Sequence, residues 1–587
     1  MLLWLRTLGS LRWEQIAYRP WRIAQYRVYR AFPQLSARWR NSQTVAPQPV
    51  PKAVETIRSV FENSFAHLNT PLREYDQYLN DLAGGRFTFL NRTLNLSPVD
   101  WNRRYESHLW SYHLHYFGYA VWCARAYIER GDDRIMRVCR QLIDGWIAEA
   151  RIGASDGWDA YPISLRVVNW IYAYALVIDR CHDRQFLERW RVSIYLQLDF
   201  LSRHLEFHLL ANHLLKNVKA LVIGGLFFGR EDWRVRGERL LWREFDEQVL
   251  EDGGHYERSP MYHAQALTDF LECYAILKAF NRVSETGRCE SKLRAMAAFL
   301  EAMSYPDGTI ALFNDSANRE ETRPQPIIEA VRRTCGEREE SLPREFKQTG
   351  YYFWTSQDER EKIIVDAGPP AVDYNPAHAH CDLLSYELWI DGGPVIVDSG
   401  LHGYGGDRFR EYCRSTRAHN TVTFDDREQS EVWGTFRMGR RARLIGVEVS
   451  NRETAWNLRA EYQPYYDSRL AHQRQIRRSS NGEWLFEDRL IGGDAERAMS
   501  FIHLHPRMSA KRAGDGSFAI ECSSERMKIV IEPFACESAK IIEGEESPIQ
   551  GWYFPDFGIA QPNSVVCFSY RVRKGEPFGY KINWWKN

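Results

Sequence analysis

The chain lacks a surplus of charge of either sign: 77 Lys plus Arg are matched by 77 Asp plus Glu, a formal net charge of zero. A dedicated nucleic-acid binder is usually basic, so this balance speaks against that class of partner. No run of about 18 apolar residues occurs, which excludes a membrane-spanning helix. The eleven cysteines form an odd, scattered set without a CxxC pair. That pattern excludes a disulfide framework and reads as mostly reduced thiols. Met1–Arg6 holds an apolar stretch too short for a secretion-signal core, and no A-x-A-like cleavage site follows. The expected compartment is therefore the cytoplasm, with the periplasm as the alternative. Disorder is excluded by a 44% hydrophobic content.

Aromatic residues are plentiful: 21 Trp, 30 Tyr and 29 Phe in 587 residues. Flat side chains in that number suit stacking on sugar rings, although large cores also absorb them. The opening segment is both basic and aromatic, with Arg12, Trp13, Arg19, Trp21, Arg22, Tyr26, Arg27 and Arg30. Two readings stand: a helical lead-in packed on the body, or a peripheral contact with an anionic membrane surface.

From about Trp101 to Tyr305, apolar residues recur at three- and four-residue spacing, as in 110–130, 135–151, 162–178, 185–201, 214–228 and 261–280. Short polar breaks between these runs favour antiparallel helix neighbours. The absence of a fixed repeat weakens a solenoid. Beyond about residue 345 the period becomes two, with ten or more strand-like runs and no helix between them, as in an antiparallel sandwich. The expected architecture is multidomain, α then β. Residues 1–55 form a lead-in and linker, 56–345 a helical domain and 346–587 a β-domain. The charged, proline-bearing stretch 319–347 reads as the boundary.

Three clusters can carry chemistry. Asn212 and His213 open a helix, where they serve either as a cap with a surface imidazole or as donors to a ligand. Asp252-Gly-Gly-His-Tyr-Glu-Arg-Ser-Pro-Met-Tyr-His263 packs polar and titratable residues just ahead of another helix, a placement suited to an anion or to a polar turn. The third cluster holds His378-Ala-His-Cys-Asp382, Asp398 at a strand end, and His419 entering a strand. Two imidazoles and a carboxylate on neighbouring strands form a zinc-type donor set, with manganese or iron as alternative occupants. His378 lies on the same face of the extended segment as His380.

On these residues the chain resembles the heparinase II/III-like polysaccharide lyases, a superfamily that includes alginate and oligoalginate lyases. The resemblance runs from about Phe200 to Arg443. It is strongest in Asp252–His263 and in 375–443, with Tyr412-Cys-Arg-Ser-Thr-Arg-Ala-His-Asn-Thr-Val422 and Glu431-Val-Trp-Gly434. Upstream of Phe200 it is architectural only. It implies an incomplete (α/α) toroid followed by an antiparallel β-sandwich. It also implies roles: Asn212 and His213 neutralise a uronate carboxylate, Tyr262 is the catalytic tyrosine, and His378 is the sandwich histidine that reaches the cleft. His380, Asp398 and His419 match the ligands of a mainly structural zinc. Arg258, Tyr404 and Arg414 are expected to reach substrate. Cys381 departs from the small residue common at its position.

The residue types agree with β-elimination. Removing the weakly acidic C5 proton of a uronate requires donors that stabilise an enolate-like dianion. Tyrosine serves as acid or, where cations lower its pKa, as base as well. Tyr262 is therefore the expected acid and also a base, with His213 or His378 as the alternative base. Residues 402–443 hold nine arginines and no lysine against six acidic residues, a suitable path for an acidic polysaccharide or else a solvated face with internal ion pairs. The expected substrate is a uronate-containing glycan, such as a bacterial exopolysaccharide or surface polysaccharide. Two rivals remain. An inverting glycoside hydrolase would draw a carboxylate pair from Asp252, Glu257, Asp307 and Asp315. A non-catalytic glycan-binding or assembly protein would keep the fold alone. Oligomeric state is not legible.

Overall fold

The computed structural model describes residues 2–32, 34, 46–69, 75–154, 156–338, 340–452, 455–522 and 527–586. Helices fill the first half and strands the second. The helical body is a series of helices packed one on another. Gly118–Arg130 packs on Ala160–Val177, that helix on Ala211–Phe228, and the latter on Glu231–Gln248 and Pro260–Ala279. Thr286–Ala302 and Pro324–Cys335 close the series. One hydrophobic core runs from Ala46 to Phe557 and joins these helices through Trp110, Trp146, Trp170 and Trp190, all fully buried. Much of the aromatic content is therefore core.

Four local departures from the sequence reading have physical causes. The run 110–130 is two helices, His108–Tyr116 and Gly118–Arg130. Phe117 between them adopts φ 57°, a left-handed conformation held by ring contacts to Trp101 and Trp170 at 5.4 and 5.1 Å. Residues 35–45 of the expected linker lie outside the described residues. Its end belongs to the toroid, because the helix Pro51–Val60 buries Ala53, Val54 and Ile57 in the common core. The proline-rich boundary is itself a helix start, Pro324 taking the first helical turn of Pro324–Cys335, where a missing N–H costs nothing. A short helix, Arg408–Arg414, interrupts the strands, capped by Asp407 through the Arg410 N–H at 2.9 Å.

The β-half contains three main sheets, and every ladder between their strands is antiparallel. A five-stranded meander takes Glu345–Phe346, Tyr351–Thr355, Glu361–Asp366, Tyr386–Ile390 and Gly393–Ile396 in chain order. An eight-stranded sheet spans Arg443–Arg452 through Pro577–Lys586, and a four-stranded sheet pairs Val422–Phe424 with Arg497–His503. The meander and the other two sheets share one core cluster, from Tyr352 to Ile582. The strand Ala471–Arg478 has no apolar alternation, yet His472 and Arg474 are buried in it. Asp488 on the next strand accepts from both, at 2.7 and 2.8 Å. A satisfied polar cluster there takes the place that apolar residues would otherwise fill.

Candidate active site

The two halves meet where the helix starts at Ala211 and Pro260 face the loops 374–382 and 398–419. Backbone strain marks three of the segments that deliver side chains to this junction. Leu210 and Ala211 take φ 62° and 47° immediately before Asn212, Arg258 takes 56° before the Ser259 cap, and Asn314 takes 57° before Asp315. For residues with a Cβ such angles cost about 1–3 kcal/mol each and persist only where the surroundings fix them. Ser259 caps its helix by accepting from the Tyr262 N–H at 3.2 Å and donates to the Asp315 carbonyl at 2.6 Å. A single cap thus ties Tyr262 in the toroid to the segment that carries Asp315.

The centre is a contact between the halves. The His378 ring stacks on Tyr262 with centroids 3.8 Å apart, and the Tyr262 hydroxyl lies 2.7 Å from the Tyr404 hydroxyl. His378 Nδ1 is 2.7 Å from Asp315 Oδ2, and His380 Nε2 is 2.8 Å from Asp315 Oδ1. Arg410 donates to both oxygens of Asp315, Nη2 to Oδ2 at 2.9 Å. Although burial opposes ionisation, Arg410 and the two imidazoles hold the Asp315 carboxyl well below the usual range. An ionised carboxylate only accepts, so His378 carries its hydrogen on Nδ1, and its Nε2 faces the cleft, 3.8 Å from Glu257 Oε1. Burial raises Glu257, an effect His378 and His213 oppose.

The Tyr262 phenol is raised well above its ordinary value by burial, then by Tyr404 and Asp315. Two of the groups around it are thus acidic partners rather than cations. Burial thus favours the protonated phenol in the free cleft, ready to donate. Across the cleft, Asn212 is buried and His213 is partly open, with its Nδ1 3.2 Å from Glu206 Oε1 and its ring 4.4 Å from Tyr161. Burial raises the Tyr161 phenol, and the nearby Asn212 amide opposes that rise. Glu206 in turn accepts from Asn217 at 3.0 Å. His213 is therefore oriented by a carboxylate, as His378 is.

Arg258 and Arg414 do not reach this cleft. The Arg258 guanidinium is spent on the carbonyls of Thr349, Tyr256 and Gln348 at 2.9, 3.2 and 3.1 Å. Arg414 is buried and donates to the carbonyls of Ala379, Gly434 and Arg437. Both are struts, and the second holds the peptide between His378 and His380. Tyr404 does reach the site, and Phe436 closes one side, with its ring 6.2 Å from His378. Sequence reasoning passed over Arg410 and weighed Asp315 and Glu257 only as two of four carboxylates open to a hydrolase. The signal was present in the spacing: Arg410 and Arg414 lie four apart on one helix.

The metal-type donors show a related shift. His380 donates through Nε2 to Asp315, and His419 Nδ1 lies 2.8 Å from Asp398 Oδ2. This leaves His380 Nδ1 and His419 Nε2 buried without a hydrogen-bond partner among the described residues. His380, His419 and Asp382 each offer one ligand atom to a group whose members all lie within 4.8 Å of one another. The carboxylate of this group is Asp382, whereas Asp398 holds the far side of the His419 ring. Burial pushes His380 down to about 3, so its free nitrogen carries a lone pair at neutral pH. Two orphaned imidazole nitrogens beside a carboxylate fit a zinc-type ion. Cys381 is buried and its thiol donates to the Ser430 carbonyl at 3.5 Å, outside that group.

Residues 65–339 match the family described as heparinase II/III N-terminus, and residues 339–584 match heparinase II/III-like, C-terminal. The likeness therefore begins well upstream of Phe200. A heparin-sulfate lyase of Pedobacter heparinus is 25% identical over 400 residues, covering 63% of this chain and 58% of that protein. A heparin-sulfate lyase of Bacteroides stercoris is 24% identical over 323 residues, covering 51% and 46%. The chain thus spans 46–58% of the length of the curated relatives it matches. A crystal structure of heparinase III superposes with a TM-score of 0.71 at 18% identity, covering 92% of this chain and 93% of the other. A mutant of heparan sulfate lyase from Pedobacter heparinus superposes with a TM-score of 0.63 at 20% identity, covering 94% and 88%. These structural likenesses show the fold, a helical toroid followed by an antiparallel sandwich.

Proposed function

The chain belongs to the heparinase II/III-like family, and on that premise we propose that it is a polysaccharide lyase cleaving a uronate-containing glycan by β-elimination. The observation that carries this reading is the Tyr262–His378 stack, with His378 Nδ1 tied to Asp315. It sets a protonated phenol against an imidazole whose Nε2 is free to accept. In the proposed reaction His378 Nε2 takes the C5 proton, the C4–oxygen bond breaks as the C4=C5 double bond forms, and Tyr262 gives its proton to the departing oxygen. Asn212 and, in its imidazolium form, His213 donate to the uronate carboxylate, where charge builds as the proton leaves. Glu206 keeps the His213 ring turned to that task.

The names of the relatives make a heparan-type glycosaminoglycan the first substrate to try. A bacterial exopolysaccharide or surface polysaccharide offers the same uronate chemistry, and alginate-type polymers belong in the same screen. A zinc ion held by His380 and His419 with Asp382, and Asp398 behind His419, would fix the loop that bears His378. Its role in this reading is structural.

The hydrolase reading loses two of its four candidate carboxylates as acids. Asp315 is committed to Arg410, His378 and His380 and held ionised, so it cannot protonate a leaving group. Asp252 is spent on the N–H groups of Gln348 and Thr349. The test is incubation with heparan sulfate and other uronate polymers while ultraviolet absorbance is followed. New absorbance from a conjugated unsaturated uronate, lost in Tyr262→Phe, is expected. New reducing ends without absorbance would refute elimination.

A further inference from the structure

The first two helices, Leu2–Leu8 and Trp13–Ala31, form a strap across both halves of the molecule. The first helix lies on the sandwich side: Trp4 meets the Trp433 ring at 5.1 Å, and Trp433 Nε1 donates to Thr7 Oγ1 at 3.2 Å. The second lies along the toroid. Gln15 donates to the Tyr374 carbonyl at 3.1 Å, Arg22 to Leu205 at 2.9 Å, Tyr26 to Trp158 at 3.0 Å and Arg30 to Gly153 at 2.9 Å.

These inward residues recur at helical spacing, so the polar stripe of the second helix is the one pressed against the protein. Its apolar stripe faces out. Trp13 is 69% exposed and Trp21 61%, with Ile16, Ile23, Val28 and Phe32 open beside them. Ten of the sixteen exposed large apolar side chains among the described residues lie within 3–32. A helix docked for the sake of the body alone would be turned the other way. An outward apolar surface of this kind marks an interaction site.

Charge selects its occupant. Of the six arginines in residues 1–32, Arg6 and Arg12 pair with Glu431 and Glu247, and Arg22 and Arg30 donate to carbonyls of the body. This leaves Arg19 and Arg27 open beside a single glutamate, Glu14, and no aspartate. A second copy of the chain would set this cationic face against itself, whereas an anionic lipid surface complements it. Exposed tryptophans beside arginines are also the composition of a helix lying in a membrane interface. None of the described helices is long and apolar enough to cross a membrane. We propose that the strap formed by residues 2–32 docks the protein on an anionic lipid surface, with Trp13, Ile16 and Trp21 entering the headgroup boundary and Arg19 and Arg27 contacting the headgroups. This stands whether or not the cleft is a lyase.

The strap also frames the cleft. At one end it holds the 431–441 segment that carries Phe436, and along its length Tyr18 packs on Phe207 at 5.4 Å, next to Glu206 and its partner His213.

The experiment is co-sedimentation of the full chain with phosphatidylcholine vesicles, either pure or carrying about a third phosphatidylglycerol. Binding to the anionic vesicles alone is expected, weakening as salt is raised. The triple variant W13S/I16S/W21S is expected to lose roughly tenfold or more in affinity, and R19E/R27E to lose a comparable amount. Both variants should keep the thermal midpoint of the parent. Failure of the parent to bind anionic vesicles overturns the proposal, as does undiminished binding by the serine variant. A concentration-dependent dimer that the serine variant dissolves, without vesicle binding by the parent, would assign the face to self-association instead.

Discussion

Replacing Asp315 by asparagine separates the positioning of His378 from the reacting groups themselves. In the native protein two carboxylate oxygens receive hydrogen from His378 Nδ1, His380 Nε2 and Arg410. An amide offers one accepting oxygen and one NH2. Wherever the NH2 points, either an imidazole must give up the hydrogen it now donates or Arg410 meets a donor. If His378 loses its Nδ1 hydrogen, that hydrogen moves to Nε2 and the ring can no longer accept a proton there. The expected fall in kcat is about 10²–10⁴, the usual worth of a positioned base, or about 2.7–5.5 kcal/mol of barrier. KM should change little, because Asn212 and His213 are untouched. A second cost falls on stability: Arg410 is buried and loses its only charged partner among the described residues, worth about 3–5 kcal/mol. Initial rates by ultraviolet absorbance, normalised to folded protein from a denaturant titration, give both quantities. An Asp315→Asn protein that keeps its native kcat and its pH profile would refute the assignment of His378 as an oriented base.

Three further outcomes follow from the same contacts. Tyr262→Phe should lower kcat by at least about 10², whereas Tyr404→Phe, which removes only the partner hydroxyl at 2.7 Å, should cost no more than about tenfold; steady-state kinetics on both variants check this, and equal losses would contradict a single acid. Arg258→Met should lower stability by about 1–3 kcal/mol through carbonyls left unpaired while leaving KM within about twofold of the parent, read from denaturant melts and saturation curves. Asp488 is buried and held down to about 2 by Arg474 and His472 despite its burial. Its folded value lies below its unfolded one, so its stabilisation is complete above about pH 4 and is lost as pH falls toward 2, on the order of 2 kcal/mol; Asp488→Asn should flatten the acid limb of a melting-temperature profile over that window.

The order of the halves was legible because period is a local property: apolar spacing of three and four residues along 110–280, and of two beyond 345, survives in one sequence. What escaped depended on contacts distant along the chain. The strand 471–478 reads as polar because its buried His472 and Arg474 are satisfied by Asp488 on the neighbouring strand. The stretch 323–326 reads as a boundary because proline breaks most patterns, yet at a helix start it is favoured. In the site, residue types were legible and their partners were not. Tyr262 and His378 were chosen from different halves of the chain, and their rings stack.

The exchange of Arg414 for Arg410 shows where such reading stops. Both sit on the helix Arg408–Arg414, four residues apart, so helical geometry turns them to the same side and one sequence ranks them equally. Only the folded chain distinguishes a guanidinium spent on three carbonyls from one spent on a carboxylate. The carbonyl-bound arginine fixes backbone; the carboxylate-bound one sets the charge of Asp315, and through it the side of the His378 ring that carries hydrogen. The same logic places Asp398 behind His419 and Glu206 behind His213. In each case a carboxylate governs an imidazole from its far edge, leaving the near edge free for a proton, a metal or a sugar acid. Three such pairs around one junction put the chemistry of the site in the orientation of its histidines, and that orientation is set by buried residues the substrate never meets.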